Sequence, residues 1–257
     1  MAAVLAPLAV HIATIKRRLL IIAGTVLVAF ALTFADAADL IAWLKRPFAD
    51  DLIFYGPTEA LFASIKVSFL AGVVLSLPVI FYQFWKFIEP ALLSRERRWA
   101  VPLFCLAAGL FALGIVFCNL VILPLVIQFF VSFGMDRDLT PQLSVGTYID
   151  FNVKFLVVFG CAFELPLVMT LLSRVGVVSP EVLGQYRKHA VMAALILSAI
   201  ITPDATLFTM LLMAVPLMVL YELGVLGARL FGRRPAGEPN TTVNHEVPVG
   251  PAGQRVR

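Results

Sequence analysis

Apolar residues in this chain are not spaced for one face of a helix or strand. They run on for stretches long enough to cross a bilayer, and the charges collect between them. Six apolar runs stand out, at roughly 19–35, 60–85, 100–131, 151–173, 190–202 and 207–226. A bilayer core about 30 Å thick needs about 20 apolar residues as a helix. Within lipid, only helices and closed barrels satisfy every backbone polar group. The pattern therefore predicts an all-α polytopic membrane protein with six transmembrane helices. Past the sixth run, RRPAGEPNTTVNHEVPVGPAGQRVR is rich in Pro and Gly and has no apolar period. It predicts a disordered tail over 232–257 behind a membrane domain over 1–231.

Two features refine the six helices. The last two runs are short. Ala190 to Thr202 spans about 20 Å as a helix before Pro203 stops it, and the sixth run meets Glu222 soon after Leu207. Such a pair is expected to thin the bilayer locally. Prolines 78, 102, 124, 166 and 216 fall inside the runs. Each removes a backbone donor and favours a kink, so the expectation is a set of bent helices forming a concave scaffold.

Composition agrees with the membrane reading. The chain is 61% hydrophobic and 14% charged, with mean hydropathy +0.95. Soluble domains carry about 25% charged residues, so this chain has too few to coat a soluble core. No cleavable leader is evident; the first run follows Lys16-Arg17-Arg18 and reads as a retained span.

Charge gives direction. Fifteen of the 20 Lys and Arg fall before the first run, after the second, after the fourth or after the sixth. Only Lys45, Arg46 and Arg137 lie in the opposite loops, where Asp36, Asp39, Asp50, Asp51, Glu59, Asp136, Asp138, Asp150 and Asp204 collect. The positive-inside rule then places both termini in the cytoplasm. The basic balance reflects topology and gives no support to nucleic-acid binding.

Enzymatic signatures are lacking. The sequence has no G-x-S-x-G, no H-E-x-x-H and no P-loop, and His11, His189 and His245 lie far apart. Cys105, Cys118 and Cys161 sit in apolar runs without metal-ligand spacing. No cofactor or metal is implied. The prominent charge is Glu164, within VFGCAFELPLV near mid-membrane. A charge there costs several kcal/mol, by contested estimates, and has to face protein, water or a polar partner. Lys154 is expected to pair with Asp150 one helical turn away, and Lys66 to snorkel. Taken alone, Glu96 in SRERR reads as a solvated acid in a basic loop.

Three segments, in order, carry a family resemblance. They are PTEALFASIKVSFLAGVVLSLPVIFYQFWKFIEPALLSRERR, YIDFNVKFLVVFGCAFELPLV, and YRKHAVMAALILSAIITPD followed by AVPLMVLYE. Over about residues 11–231 the chain resembles TatC, the integral-membrane receptor subunit of the twin-arginine protein translocase. The resemblance implies a multi-pass protein of a prokaryotic cytoplasmic membrane. It implies binding of folded precursors through signal peptides with two adjacent arginines. It also implies TatA- and TatB-like single-span partners, self-association in a larger complex, and export driven by the proton-motive force without nucleotide.

The resemblance also assigns residues. Glu96 matches the acid of the first cytoplasmic loop, and bidentate guanidinium–carboxylate pairing suits an arginine pair. Phe87 and Pro90 match positions that could pack against the apolar part of the peptide. Lys16 and Arg18 stand in the N-terminal motif, which departs from the family's H-L-x-E-L-R-x-R. Thr14 replaces an acid there and Lys16 an arginine. Glu164 matches a buried acidic or amide position offering a polar contact inside the bilayer. Thr202, Asp204, Thr206 and Thr209 fall where the family meets partner helices. Two rival readings remain at this level: a degenerate paralogue acting as a membrane scaffold, and a small-solute transporter. The latter predicts inverted repeats, and no convincing half-to-half similarity is seen.

Overall fold

The computed structural model describes residues 2–46, 52–88, 100–135, 143–202 and 206–232. Ten α-helices cover most of them: α1 (Ala2–Ala35), α2 (Ala37–Lys45), α3 (Glu59–Ile88), α4 (Ala100–Phe117), α5 (Leu123–Met135), α6 (Val145–Phe163), α7 (Leu165–Val175), α8 (Pro180–Gln185), α9 (Arg187–Ile201) and α10 (Leu207–Phe231). A π-helical turn, Cys118–Ile122, joins α4 to α5. The described residues hold no strand beyond one isolated parallel bridge, Ile53 to Ser144.

The six expected spans are α1, α3, α4–α5, α6–α7, α9 and α10. Five of these are long and apolar enough to cross a membrane. The remaining one, α9, has 15 residues, about 22 Å of helix. It starts at Arg187, so the helix takes in Lys188 and His189. The last helix has 25 residues, but its uninterrupted apolar part ends at Tyr221, before Glu222. The helix runs on past Glu222, a good helix former, whose Oε2 accepts from Arg187 Nη2 of α9 at 2.8 Å. The tail expected from 232 lies, beyond Gly232, outside the described residues.

Prolines act in three ways. Pro78 and Pro216 remain inside α3 and α10. Pro124 is the second residue after the π turn. Its ring and missing N–H cannot be reconciled with the carbonyl four residues back, and a widened turn relieves this. Pro166 lies just beyond the break between α6 and α7.

Lipid tails are as apolar as leucine, so close contact and polar links must hold the helices together. At the α1–α3 contact, a Cβ on Gly72 would lie 2.8 Å from the Phe30 backbone nitrogen, so only glycine allows this approach. Beside it the Thr33 hydroxyl donates to the Ser68 carbonyl at 2.8 Å, and the Ser68 hydroxyl donates to the Thr33 carbonyl at 3.4 Å. Between α4 and α6, Phe117 packs on Phe159 and Phe163 with ring centres 6.1 and 5.5 Å apart. Together α3 to α6 form the main core, around Phe155, Phe159, Ile122 and Leu123. A smaller cluster with Ala162, Ala194 and Leu217 joins α6, α9 and α10. Large apolar residues such as Leu19, Leu27, Leu32, Phe69 and Ile200 remain exposed, as suits side chains facing acyl chains.

Two elements go beyond the sequence expectation. Helix α1 begins well before residue 19. Helix α2 packs on α3 through its buried Leu44, and the Tyr148 hydroxyl of α6 donates to the Leu44 carbonyl at 2.9 Å.

Candidate functional site

Alternating spans sort the described charges to two ends. At one end lie the acids Asp36, Asp39, Glu59 and Asp150, alongside Lys45, Arg46, Lys66 and Lys154; at the other lie Lys16, Arg17, Arg18, Lys86, Arg174, Arg187, Lys188 and Arg229, with only Glu181 and Glu222 as acids. These are the acidic and basic ends below.

Glu164 occupies the break in the fourth span. Pro166 cannot donate to the Ala162 carbonyl, and its ring crowds that oxygen. The ladder parts two residues earlier. The Glu164 amide reaches back to Cys161 O at 3.2 Å, and the Glu164 carbonyl accepts from Val168 N at 2.9 Å. Glu164 thus stands at the N-cap of α7, yet its carboxylate makes no cap bond. It lies 11 residues before the end of α7, about 16 Å of helix from the basic end. The side chain is half-buried, and Oε1 is buried with no hydrogen-bond partner among the described residues. An unmet buried acceptor costs about 1–3 kcal/mol. A donor from a second molecule would recover part of that cost.

Helix α7 carries this site onto α10. Below Glu164, toward the basic end, a cleft of about 420 Å³ opens between α3, α4, α7 and α10. Pro166, Leu167 and Thr170 form its wall nearest the break, and Trp85 and Arg174 lie nearer the basic end.

The structure distributes the other predicted residues as follows. Lys16 is exposed on α1; Arg18 is half-buried, and its Nη1 has no partner among the described residues. Phe87 lies in the last turn of α3, its side chain outside the described set. Pro90, Glu96 and Asp204 lie outside the described residues. Thr202 is buried and donates to the Ser198 carbonyl at 2.7 Å. Thr206 caps α10, accepting from the Thr209 amide at 3.5 Å. Thr209 is buried, and its hydroxyl lies 2.8 Å from that of Thr206 and 3.0 Å from the Thr206 carbonyl. Of these three hydroxyls only that of Thr206 belongs to an exposed residue.

At the acidic end the expected Lys154–Asp150 pair gives way to another. Asp150 of α6 pairs with Lys66 of α3. Helix packing sets the partner, and α3 brings its lysine across to α6. Sequence reasoning also missed a carboxylate clamp. Glu59 accepts from the amides of Tyr55 and Gly146, each at 2.8 Å, and from the Ser144 hydroxyl. A Cβ on Gly146 would sit 2.7 Å from Glu59 Oε1, so the position needs glycine. The segment is tied again by Ile53, whose amide donates to Leu143 O at 3.1 Å and whose carbonyl accepts from Val145 N at 2.8 Å. The only sequence signal was an acid at the start of a helix. Asn119 and Asn152, both fully buried within spans, were missed as well.

The family model for "Sec-independent protein translocase protein (TatC)" matches residues 10–216. The chain belongs to the TatC family. A TatC of Aquifex aeolicus (strain VF5) is 40% identical over 234 residues, covering 89% of this chain and 97% of the relative. One of Campylobacter jejuni is 37% identical over 223 residues, covering 84% and 91%. The fold matches a crystal structure of the twin arginine translocase receptor TatC with TM-score 0.75 at 39% identity, over 87% of this chain and all of that one. A second, in DDM, gives TM-score 0.77 at 40% identity, covering 84% and 98%. The six-span TatC fold therefore accounts for α9 as the short fifth span.

Proposed function

We propose that this TatC-family chain is the receptor subunit of a twin-arginine translocase. It binds the arginine pair of a signal peptide at the basic end and gathers TatA- and TatB-like helices for export driven by the proton-motive force. In this reading both termini face the cytoplasm, and the role is transport without catalysis. The carrying observation is Glu164, a carboxylate inside the bilayer at a helix break, with one buried oxygen lacking a partner among the described residues. A core built for packing alone has no use for it, because an unpaired intramembrane acid is expensive. A helix from another protein can supply the donor, at about 1 kcal/mol for a typical interhelical bond.

In the same reading Glu96 takes the guanidinium pair, with Phe87 and Pro90 against the apolar part of the peptide and Lys16 and Arg18 nearby. Self-association and the partner helices use the faces around Glu164 and Thr206. Thr14 in place of the family's N-terminal acid favours a second reading, a scaffold that has lost signal recognition. Crosslinking of a twin-arginine signal peptide to membranes containing the full chain separates the two. The receptor reading expects a crosslink that disappears in Glu96→Ala and Glu96→Lys and with cargo whose arginines are both lysines. Equal crosslinking of all four would refute recognition at Glu96.

A further inference from the structure

Beneath α2 a pocket of about 310 Å³ opens between α1, α2, α3 and α4. Its floor is Leu44, Val67, Leu70 and Leu156, all buried. Its rim includes Leu75 and Val116, exposed at 62% and 42%. Trp43 of α2 lines it toward the acidic end.

Helix α3 sets the depth. Lys66 and Lys86 lie 20 positions apart on it, from 86 minus 66. At about 1.5 Å per residue that is about 30 Å, the thickness of a bilayer core. Lys66 therefore marks the acidic-end boundary, and the lining from Val67 to Leu75 reaches about 13 Å inward from it. The pocket falls within one leaflet. Two polar side chains line it, Thr33 and Trp43. The Thr33 hydroxyl is engaged with α3, donating to the Ser68 carbonyl at 2.8 Å. Ordered water needs about two to four polar partners, and an indole N–H does not supply them. An unfilled lining forgoes dispersion contacts. The rim residues face acyl chains.

We propose that this pocket binds one acyl chain of a phospholipid in the acidic-end leaflet, lodged under α2 and against Trp43. A flexible chain fits an irregular apolar space at that depth, and it is the apolar molecule present at the rim. Moving it from bulk lipid changes its surroundings little, so the gain is in filled space. Chain contact governs the site, and the headgroup is not selected. The chain becomes part of the seat of α2, a helix of nine residues. This inference rests on the membrane placement of α3 and not on signal-peptide recognition.

The test uses the full chain with Trp85 and Trp99 replaced by Phe, leaving Trp43 as the fluorophore. It is reconstituted in phosphatidylcholine with bromine midway along the chains. Bromine quenches an indole at contact. The expectation is strong quenching of Trp43, most of which is lost in Ala112→Phe and in Val74→Phe. These fill the pocket from α4 and from α3. Leu113→Phe, on the exposed side of α4, keeps the quenching. Absence of quenching in the parent protein overturns the proposal without recourse to any variant. So does quenching in either filled variant equal to that of the parent. No cargo enters the readout, so its failure leaves the receptor reading untouched, and the converse holds.

Discussion

Lys66 and Asp150 form an ion pair between the acidic ends of α3 and α6, 84 positions apart in sequence. Both side chains are nearly half exposed, at 43% and 45%. Pairs of that exposure contribute about 0.2–1 kcal/mol. A double-mutant cycle of Lys66→Met and Asp150→Asn, read by thermal unfolding in detergent, is expected to return a coupling of that size. The same cycle between Asp150 and Lys154 is expected to return none. Coupling to Lys154 in place of Lys66 would contradict the packing of α3 on α6.

The Glu59 clamp holds more than that pair does. It gathers three donors on one carboxylate, where the ion pair has a single contact between two side chains. Glu59→Ala is expected to raise hydrogen exchange over 52–58 and 143–147 and to lower the unfolding temperature. Glu59→Gln should do so less, since one oxygen still accepts. Gly146→Ala should resemble Glu59→Ala, because the added methyl occupies the carboxylate's position.

At the α1–α3 contact, Gly72→Ala places a methyl against the Phe30 backbone. Backbone cannot rotate away as a side chain can, so the helices have to separate. The expected cost is about 1–3 kcal/mol, with loss of the Thr33–Ser68 exchange. Substituting Gly24, where nothing lies within 4 Å of the added carbon, is expected to be neutral. Unfolding in detergent compares the two.

Glu164→Ala removes the orphaned oxygen along with the charge, whereas Glu164→Gln keeps an acceptor. Co-purification with TatA- or TatB-like helices is expected to fall further in the alanine variant, by about fivefold for a lost bond near 1 kcal/mol. Equal and negligible losses in the two variants would mean that the carboxylate serves only the fold.

What could be read from sequence follows the range of each interaction. The spans, the basic and acidic ends and the intramembrane acid were legible because each rests on local composition: an apolar run, a charged loop, a charge within a run. The α6–α7 break was partly legible, since Pro166 stops the ladder from its own position. Pairings between helices were not. The pattern Asp150-x-x-x-Lys154 is a sound local pair, yet Lys66 takes the carboxylate because α3 packs on α6. The threonines around α10 carry the same lesson. They read as polar groups open to a partner, but Thr202 and Thr209 turn inward and spend their hydroxyls on their own backbone. The Glu59 clamp was invisible because its donors come from Tyr55, Ser144 and Gly146, on both sides of two intervening spans.

The interrupted fourth span has a mechanical side. On one side of Glu164, α6 is bound chiefly to α3 and α4; on the other, α7 is bound to α10. The rung that Pro166 cannot give to the Ala162 carbonyl therefore falls on the seam between two subassemblies. A tilt imposed on α10 by a docking helix would be transmitted to α7 at once, and to α6 through this compliant joint and the small cluster around Ala162. The lone acid sits on that joint, where contact and displacement meet in one residue.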